Sequence, residues 1–262
     1  MARRAINAIG LRRKRISWLF LLGVNNSGTT LLETILGRHP EISKLPEEGQ
    51  YLSHALPRPN QMKLRRLWTE RIDAFRKRPE DGGMLSASRL KWDWLCHYPA
   101  DRRTRFFMEK SPPNTMRGPW LQNHFRPTSF LALTRNPYAV TEGIRRREGY
   151  SVERAARHWT VANQIMLDDL DLLDDVLLLS YEGLCADPSK ETGRITRFLD
   201  IDPYPEEFLR EELPVHNVTG HPNTIKDFND ASLDRLSAED IRRVEDIAGE
   251  VMTRLGYEFF TG

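Results

Sequence analysis

The chain predicts an α/β fold in which a mostly parallel central sheet is flanked by helices. Three observations predict it. Four short apolar runs read as buried parallel strands: Ile16 to Gly23, Arg105 to Glu109, Ser129 to Thr134 and Val176 to Ser180. Helical patterns alternate with them, the order expected of parallel strands joined by crossovers. The first run opens directly into a glycine loop, GVNNSGTTLL from Gly23 to Leu32.

Each element has its own signal. ISWLFLLG is apolar throughout, as a strand covered on both faces must be. The helix after its loop runs from Thr30 to Gly37 and closes before His39 and Pro40. RFFME leads into Lys110, Ser111 and Pro112. SFLALT leads into TRNPYAV, with Arg135 in the first loop position. Ser151 is a candidate N-cap for SVERAARHWTVANQIMLDDL, where Trp159, Ala162, Ile165 and Met166 fall on one face. VLLLS leads into YEGL, with Tyr181 in the matching place. Ligands of open α/β sheets bind outside the carboxyl ends of the strands. Three of these ends offer anion-binding groups and the fourth an aromatic hydroxyl, so the crevice suits a phosphorylated ligand.

Bulk properties exclude several classes. A chain of 262 residues can bury a full core as one domain, 1–262. With 39% hydrophobic and 29% charged residues it is a globular protein, not a disordered one. A net charge of +2 is too small to hold nucleic acid by bulk attraction. Residues 1–15 form a basic arm containing Arg3, Arg4, Arg12, Arg13, Lys14 and Arg15 with no acid, read as a solvated segment. Two cysteines, Cys96 and Cys185, argue against a disulfide framework. The apolar stretch Ile16 to Val24 falls short of the roughly 20 residues of a membrane span. No small-residue cleavage site follows it, so the expected location is cytoplasmic.

The glycine loop matches G-x-x-x-x-G-K-[ST] except at Thr29, which stands where the lysine should be. Unpaired N–H groups at a helix start attract phosphate oxygens, Gly28 permits close approach, and the hydroxyls of Ser27, Thr29 and Thr30 can add hydrogen bonds. The absent lysine, and the absence of an apolar run ending in a magnesium-binding aspartate, argue against magnesium-ATP. No metal is expected.

GxxxSGTTLL, then RNP after a middle strand, then YEGLCADP resemble the sulfotransferases that use 3′-phosphoadenosine 5′-phosphosulfate (PAPS). The resemblance continues through ITRFLDI (Ile195 to Ile201) and LSAEDIRRVEDIAGEVMTRLGYE, and spans about Ile16 to Glu258. It implies a P-loop-type three-layer fold. It also implies a mechanism: a base deprotonates an acceptor hydroxyl or amine, which attacks sulfur in line, and 3′-phosphoadenosine 5′-phosphate (PAP) leaves. Residue by residue, it assigns Asn25, Asn26, Ser27, Gly28, Thr29 and Thr30 to the 5′-phosphosulfate loop. Arg135 matches the contact to the 3′-phosphate and Tyr181 a tyrosine placed against adenine. His216 to Phe228 resembles a late loop that closes over the nucleotide, where Lys226 could reach the 3′-phosphate.

The sequence departs from the family in two places. The family carries Arg or Lys two positions before the loop glycine; this chain has the uncharged Asn26. Lys110, in EKSPPN, is the first candidate to supply the charge. The family often places a serine eight positions after the arginine; this chain has Gly143, with Thr141 or Arg145 as possible compensation.

The segment HPEISKLPEEGQYL (His39 to Leu52) resembles the glutamate-base branches, including the tyrosylprotein and glycan enzymes. Glu48 aligns best with the base and Glu47 is the near alternative; adjacent carboxylates in a partly dry cleft would repel and raise one pKa. His54 and His97 are weaker candidates, and His39 packs the end of the first helix. Residues 51–104, with Arg65, Arg66, Arg71, Trp68, Trp92 and Trp94, are expected to be helical and to lie on the acceptor side. The acceptor class stays open among glycans, peptide tyrosines, lipids and small metabolites, and a homodimer is allowed. Two other readings remain: a nucleotide-binding sulfotransferase fold that has lost its chemistry, and a P-loop kinase.

Overall fold

The computed structural model describes residues 16–82, 84–99, 103–205 and 225–260. The basic arm and the first part of the late loop lie outside them. Strands β1 (Ser17–Leu22), β2 (Ile42–Lys44), β3 (Phe106–Lys110), β4 (Thr128–Thr134) and β5 (Val176–Ser180) form one sheet in the order β2–β3–β1–β4–β5. Every pairing is parallel. The chain first builds to one side of β1 and then crosses back to build the other. The strand order therefore reverses at β1, and its carboxyl end is the switch point where such sheets bind ligands. Four strands sit within a residue or two of the expected runs. β2 was not expected, because three residues are too few to show a period.

Helices α1 (Thr29–Leu36), α2 (Gly49–Leu52), α3 (Ile72–Phe75), α4 (Met84–Leu95) and α5 (Gly118–His124) accompany the first half of the chain. α6 (Pro137–Glu148), α7 (Val152–Leu170), α8 (Tyr181–Ala186), α9 (Pro188–Leu199), α10 (Asn229–Leu233) and α11 (Ala238–Leu255) accompany the second. Side chains of β1 alternate between layers. Trp18, Phe20 and Leu22 pack with Trp94 of α4 and Phe125, while Leu19 and Leu21 pack with Leu32, Ile35 and Leu36 of α1. Phe20 is fully buried and meets Phe125 edge-on at 5.5 Å between ring centres. Truncating such a ring to alanine costs about 3–5 kcal/mol. α6, α7 and α11 close a third cluster around Trp159, with Ala162 buried and Ile165 partly buried beside it, while Met166, also buried, turns to the cluster of Phe20 and Phe125.

Local signals set the helix starts. The Ser151 hydroxyl accepts from the Arg154 N–H and opens α7. Asn136 accepts from the Tyr138 and Ala139 N–H groups, and Pro137 takes the first helical position of α6. The RNP triplet thus has a structural job, because it stops β4 and leaves Arg135 at the strand end. Residues 51–104 are less helical than expected. Besides α4 they contain 3₁₀ turns at Pro59–Met62 and Trp68–Arg71 and only short α-turns, since Pro57, Pro59 and Pro79 interrupt any longer run.

Candidate active site

The carboxyl ends of the strands open into a cleft of about 1280 Å³. That exceeds the usual range for one small ligand. Its floor is the glycine loop. Gly28 holds φ at 94°, and a Cβ there would lie 2.6 Å from Cδ2 of Tyr181. Only glycine fits that turn without moving the tyrosine. Among the described residues no side chain caps α1, so its first amides remain for a ligand. Thr29 and Thr30 line the cleft. Ser27 does not: it is fully buried and its hydroxyl donates to the Val24 carbonyl at 2.7 Å, shaping the loop from within.

Arg135 leaves β4 beside the loop. Its guanidinium donates to the Asn26 carbonyl and to Oδ1 of Asn229, each at 2.9 Å, and lies 3.9 Å over the Tyr181 ring. Trp159 fixes the backbone by donating Nε1–H to the Arg135 carbonyl. Tyr181 is almost fully buried, with one face under Arg135 and its hydroxyl donating to the Lys226 carbonyl at 2.9 Å. Burial pushes the pKa of that phenol up. Lys226 is exposed and lines the cleft.

The wall formed by α2 and the end of β3 is built around a cation held by carboxylates. Lys110 Nζ donates to Oε1 of Glu48 at 3.0 Å and lies 3.7 Å from Oε2 of Glu33. Burial alone would lower the Lys110 pKa, but Glu48 and Glu33 outweigh it and the ammonium is favoured. Gln50 donates Nε2–H to the other Glu48 oxygen at 2.6 Å. Glu48 faces the cleft, whereas Glu47 is exposed and does not line it. The charged group bonded to Glu48 is therefore Lys110, not the carboxylate of Glu47. Beneath them Glu109 is fully buried and accepts from the Gly49 N–H at 2.8 Å and from the Ser111 hydroxyl and Asn114 amide. Burial pushes its carboxyl up to about 7. Sequence reasoning missed the roles of Glu109 and Glu33. Only the EKSPPN segment hinted at Glu109, and nothing local marked Glu33.

The opposite wall is cationic. Lys63, Arg65, Arg66, Arg146 and Arg147 line it. Glu148 anchors Arg65 and Arg66 at 2.8 Å each. Burial opposes the Glu148 charge, but hydrogen bonds from the two arginines outweigh it and hold its carboxyl below the usual range. Both loop asparagines are tied to this wall's segment. Oδ1 of Asn25 accepts from Trp68 Nε1 at 2.8 Å, and Oδ1 of Asn26 from Arg66 Nη1 at 3.1 Å. Asn26 sits at φ 67°, a left-handed conformation that asparagine tolerates.

Residues 19–206 match a family description, Sulfotransferase family. The chain belongs to this family. It is similar to protein-tyrosine sulfotransferase A of Caenorhabditis elegans, 26% identical over 260 residues, covering 92% of this chain and 67% of the worm protein. Among solved structures it resembles the sulfotransferase domain of the Synechococcus PCC 7002 olefin synthase (TM-score 0.56, 22% identity, 90% of this chain and 96% of that one). It also resembles a mouse sulfotransferase complexed with PAP (TM-score 0.53, 14% identity, 92% of this chain and 85% of that one). At these identities the solved structures bear on the fold alone.

All but one of the remaining sequence candidates fall away from the cleft of this sulfotransferase. Thr141 is fully buried, and Arg145 pairs with Asp240 at 3.1 Å, so neither fills the place of the family serine. His39 packs edge-on against Tyr204 behind α1, as expected for a structural residue. His54 is exposed, and His97 bonds the Asp93 carbonyl one helical turn back. Trp68 is the exception, a core residue that also lines the cleft, while Trp94 is a core residue, Trp92 is partly buried against the core, and Arg71 pairs with exposed Asp73. Among the described residues no cluster of His, Cys, Asp and Glu could hold a metal ion, and no helix is long and apolar enough to cross a membrane.

Proposed function

We propose that this cleft transfers a sulfuryl group from PAPS to a hydroxyl or amine acceptor, with Glu48 as general base. The observation that carries the reading is the meeting of two chemistries in one cleft. An uncapped helix start able to hold an anion faces the same space as Glu48, whose carboxylate is bonded to a buried ammonium. The fit to PAPS rests on that donor set and on the steric room at Gly28. The loop amides with Thr29 and Thr30 hold the 5′-phosphosulfate, and Arg135, with Lys226 from the late loop, holds the 3′-phosphate. PAPS supplies the activated sulfuryl group. Glu48 accepts the acceptor's proton, with Lys110 bonded to it and holding its carboxylate in place, and the loop amides donate toward the oxygen where negative charge grows, which lowers the barrier because the donors are already in place. No metal takes part in this scheme, and the location that goes with it is cytoplasmic.

The relative named as a protein-tyrosine sulfotransferase favours a tyrosine in a peptide as acceptor, ahead of a glycan or a small molecule. One observation favours a second reading: Asn26 leaves the loop itself uncharged, as in a fold that binds the nucleotide without transferring from it. The two part company when the protein is incubated with sulfur-labelled PAPS and a panel of tyrosine peptides, glycans and small alcohols. Label appearing on an acceptor, and lost in Glu48→Gln, supports transfer. PAP binding with no label leaving PAPS supports the second reading.

A further inference from the structure

The loop needs a positive charge near the 5′ end of its ligand and does not contain one. Asn26 is neutral. Lys110, the obvious substitute, is already bonded to Glu48 and close to Glu33. Arg66 is placed differently. Its Nη1 donates to the Asn26 side chain, its Nε is fixed by Glu148, and its Nη2 takes part in neither bond. About a quarter of its side chain is exposed, and it lines the cleft beside the loop. Glu148 itself is almost buried and also holds Arg65, so Arg66 is oriented by a carboxylate that has little freedom.

The neutral amide and the missing serine are one feature. A Cβ on Gly143 would lie 2.8 Å from Nδ2 of Asn26. Nδ2 is buried with no partner among the described residues. Asn26 therefore occupies the space that a side chain at 143 would take, and its Oδ1 is turned to Arg66. The two places where the loop departs from its family touch each other, and the arginine sits on their other side.

We propose that Arg66 carries the charge the loop lacks, binding the 5′-phosphate or phosphosulfate oxygens of the nucleotide, with Asn26 and Glu148 as its positioning residues. This rests on the PAPS reading above. A guanidinium held in a partly dry site makes a strong, directional contact to an oxyanion.

The test uses two probes, PAP and adenosine 3′-phosphate, which differ only at the 5′ end. Arg66→Met should weaken PAP binding by roughly 10- to 100-fold in calorimetry and leave the weaker adenosine 3′-phosphate binding unchanged. Asn26→Lys in the Arg66→Met background should restore much of the lost PAP affinity. In the otherwise unchanged protein Asn26→Lys should give no gain, because it sets a second cation against Arg66. Unchanged PAP affinity in Arg66→Met, or an equal loss for both probes, overturns the assignment while leaving the PAPS reading standing. Failure of the unaltered protein to bind PAP overturns both. A melting curve for each variant separates a binding loss from a folding loss.

Discussion

The two walls of the cleft contrast in charge and in construction. On one, three carboxylates, Glu33, Glu48 and Glu109, surround the single ammonium of Lys110. On the other, arginines outnumber acids, and Glu148 and Glu142 serve as their anchors. Between them lies a loop whose own side chains are neutral. On the proposed reading, proton transfer and anion holding fall to different walls, each assembled from segments distant in sequence. A carboxylate wall can take a proton and would repel a phosphate; an arginine wall does the reverse.

The largest expected effect breaks that division directly. Glu48→Gln removes the proton acceptor and keeps the shape. Transfer should fall by about 10²- to 10⁴-fold, while PAP affinity measured by calorimetry stays nearly unchanged. A proportionate loss of affinity would move Glu48 to the binding side. Arg135→Ala should do the opposite, costing about 1.5–3 kcal/mol of PAP binding, with a much smaller loss for ligands that lack the 3′-phosphate.

The same contrast marks what could be read from the chain. The loop, Arg135 and Tyr181 were legible because each follows an apolar strand within a residue or two, so local sequence alone fixes their place. β2 was not legible, since its three residues gain their strand identity only by pairing with Phe106, Phe107 and Met108. Glu48 was legible through a family segment. Its partner Glu33 was not, because a charged residue on α1 looks like any solvated position until β3 brings Lys110 to it. Arg66 was visible only as one of several arginines among prolines and tryptophans. Its link to Asn26 spans 40 positions and belongs to tertiary packing.

Smaller effects sharpen the comparison. Gly28→Ala places a Cβ against Tyr181 at positive φ and should cost about 1–3 kcal/mol, seen as a lower melting temperature and weaker nucleotide binding together. Glu109 gives a pH signature. Its folded pKa of about 7 is raised above the ordinary 4.5 by burial. Its contribution to stability is therefore complete below pH 4.5, declines as pH rises toward 7 and stays lower above that. Glu109→Gln should remove this dependence, so the melting-temperature difference between variant and parent should drift in the variant's favour from pH 5 to pH 7.5. A flat difference would mean that Glu109 stays charged in the fold. Least of all, Glu47→Gln should leave transfer within about twofold of the parent, as befits an exposed side chain. A loss as large as that of Glu48→Gln would reverse the assignment of the base.

The most direct measurement is a calorimetric titration of the unaltered protein with PAP, set beside ATP with and without magnesium. PAP should bind, more tightly than ATP, with no metal added. Preference for magnesium-ATP, or no binding of either nucleotide, would contradict it.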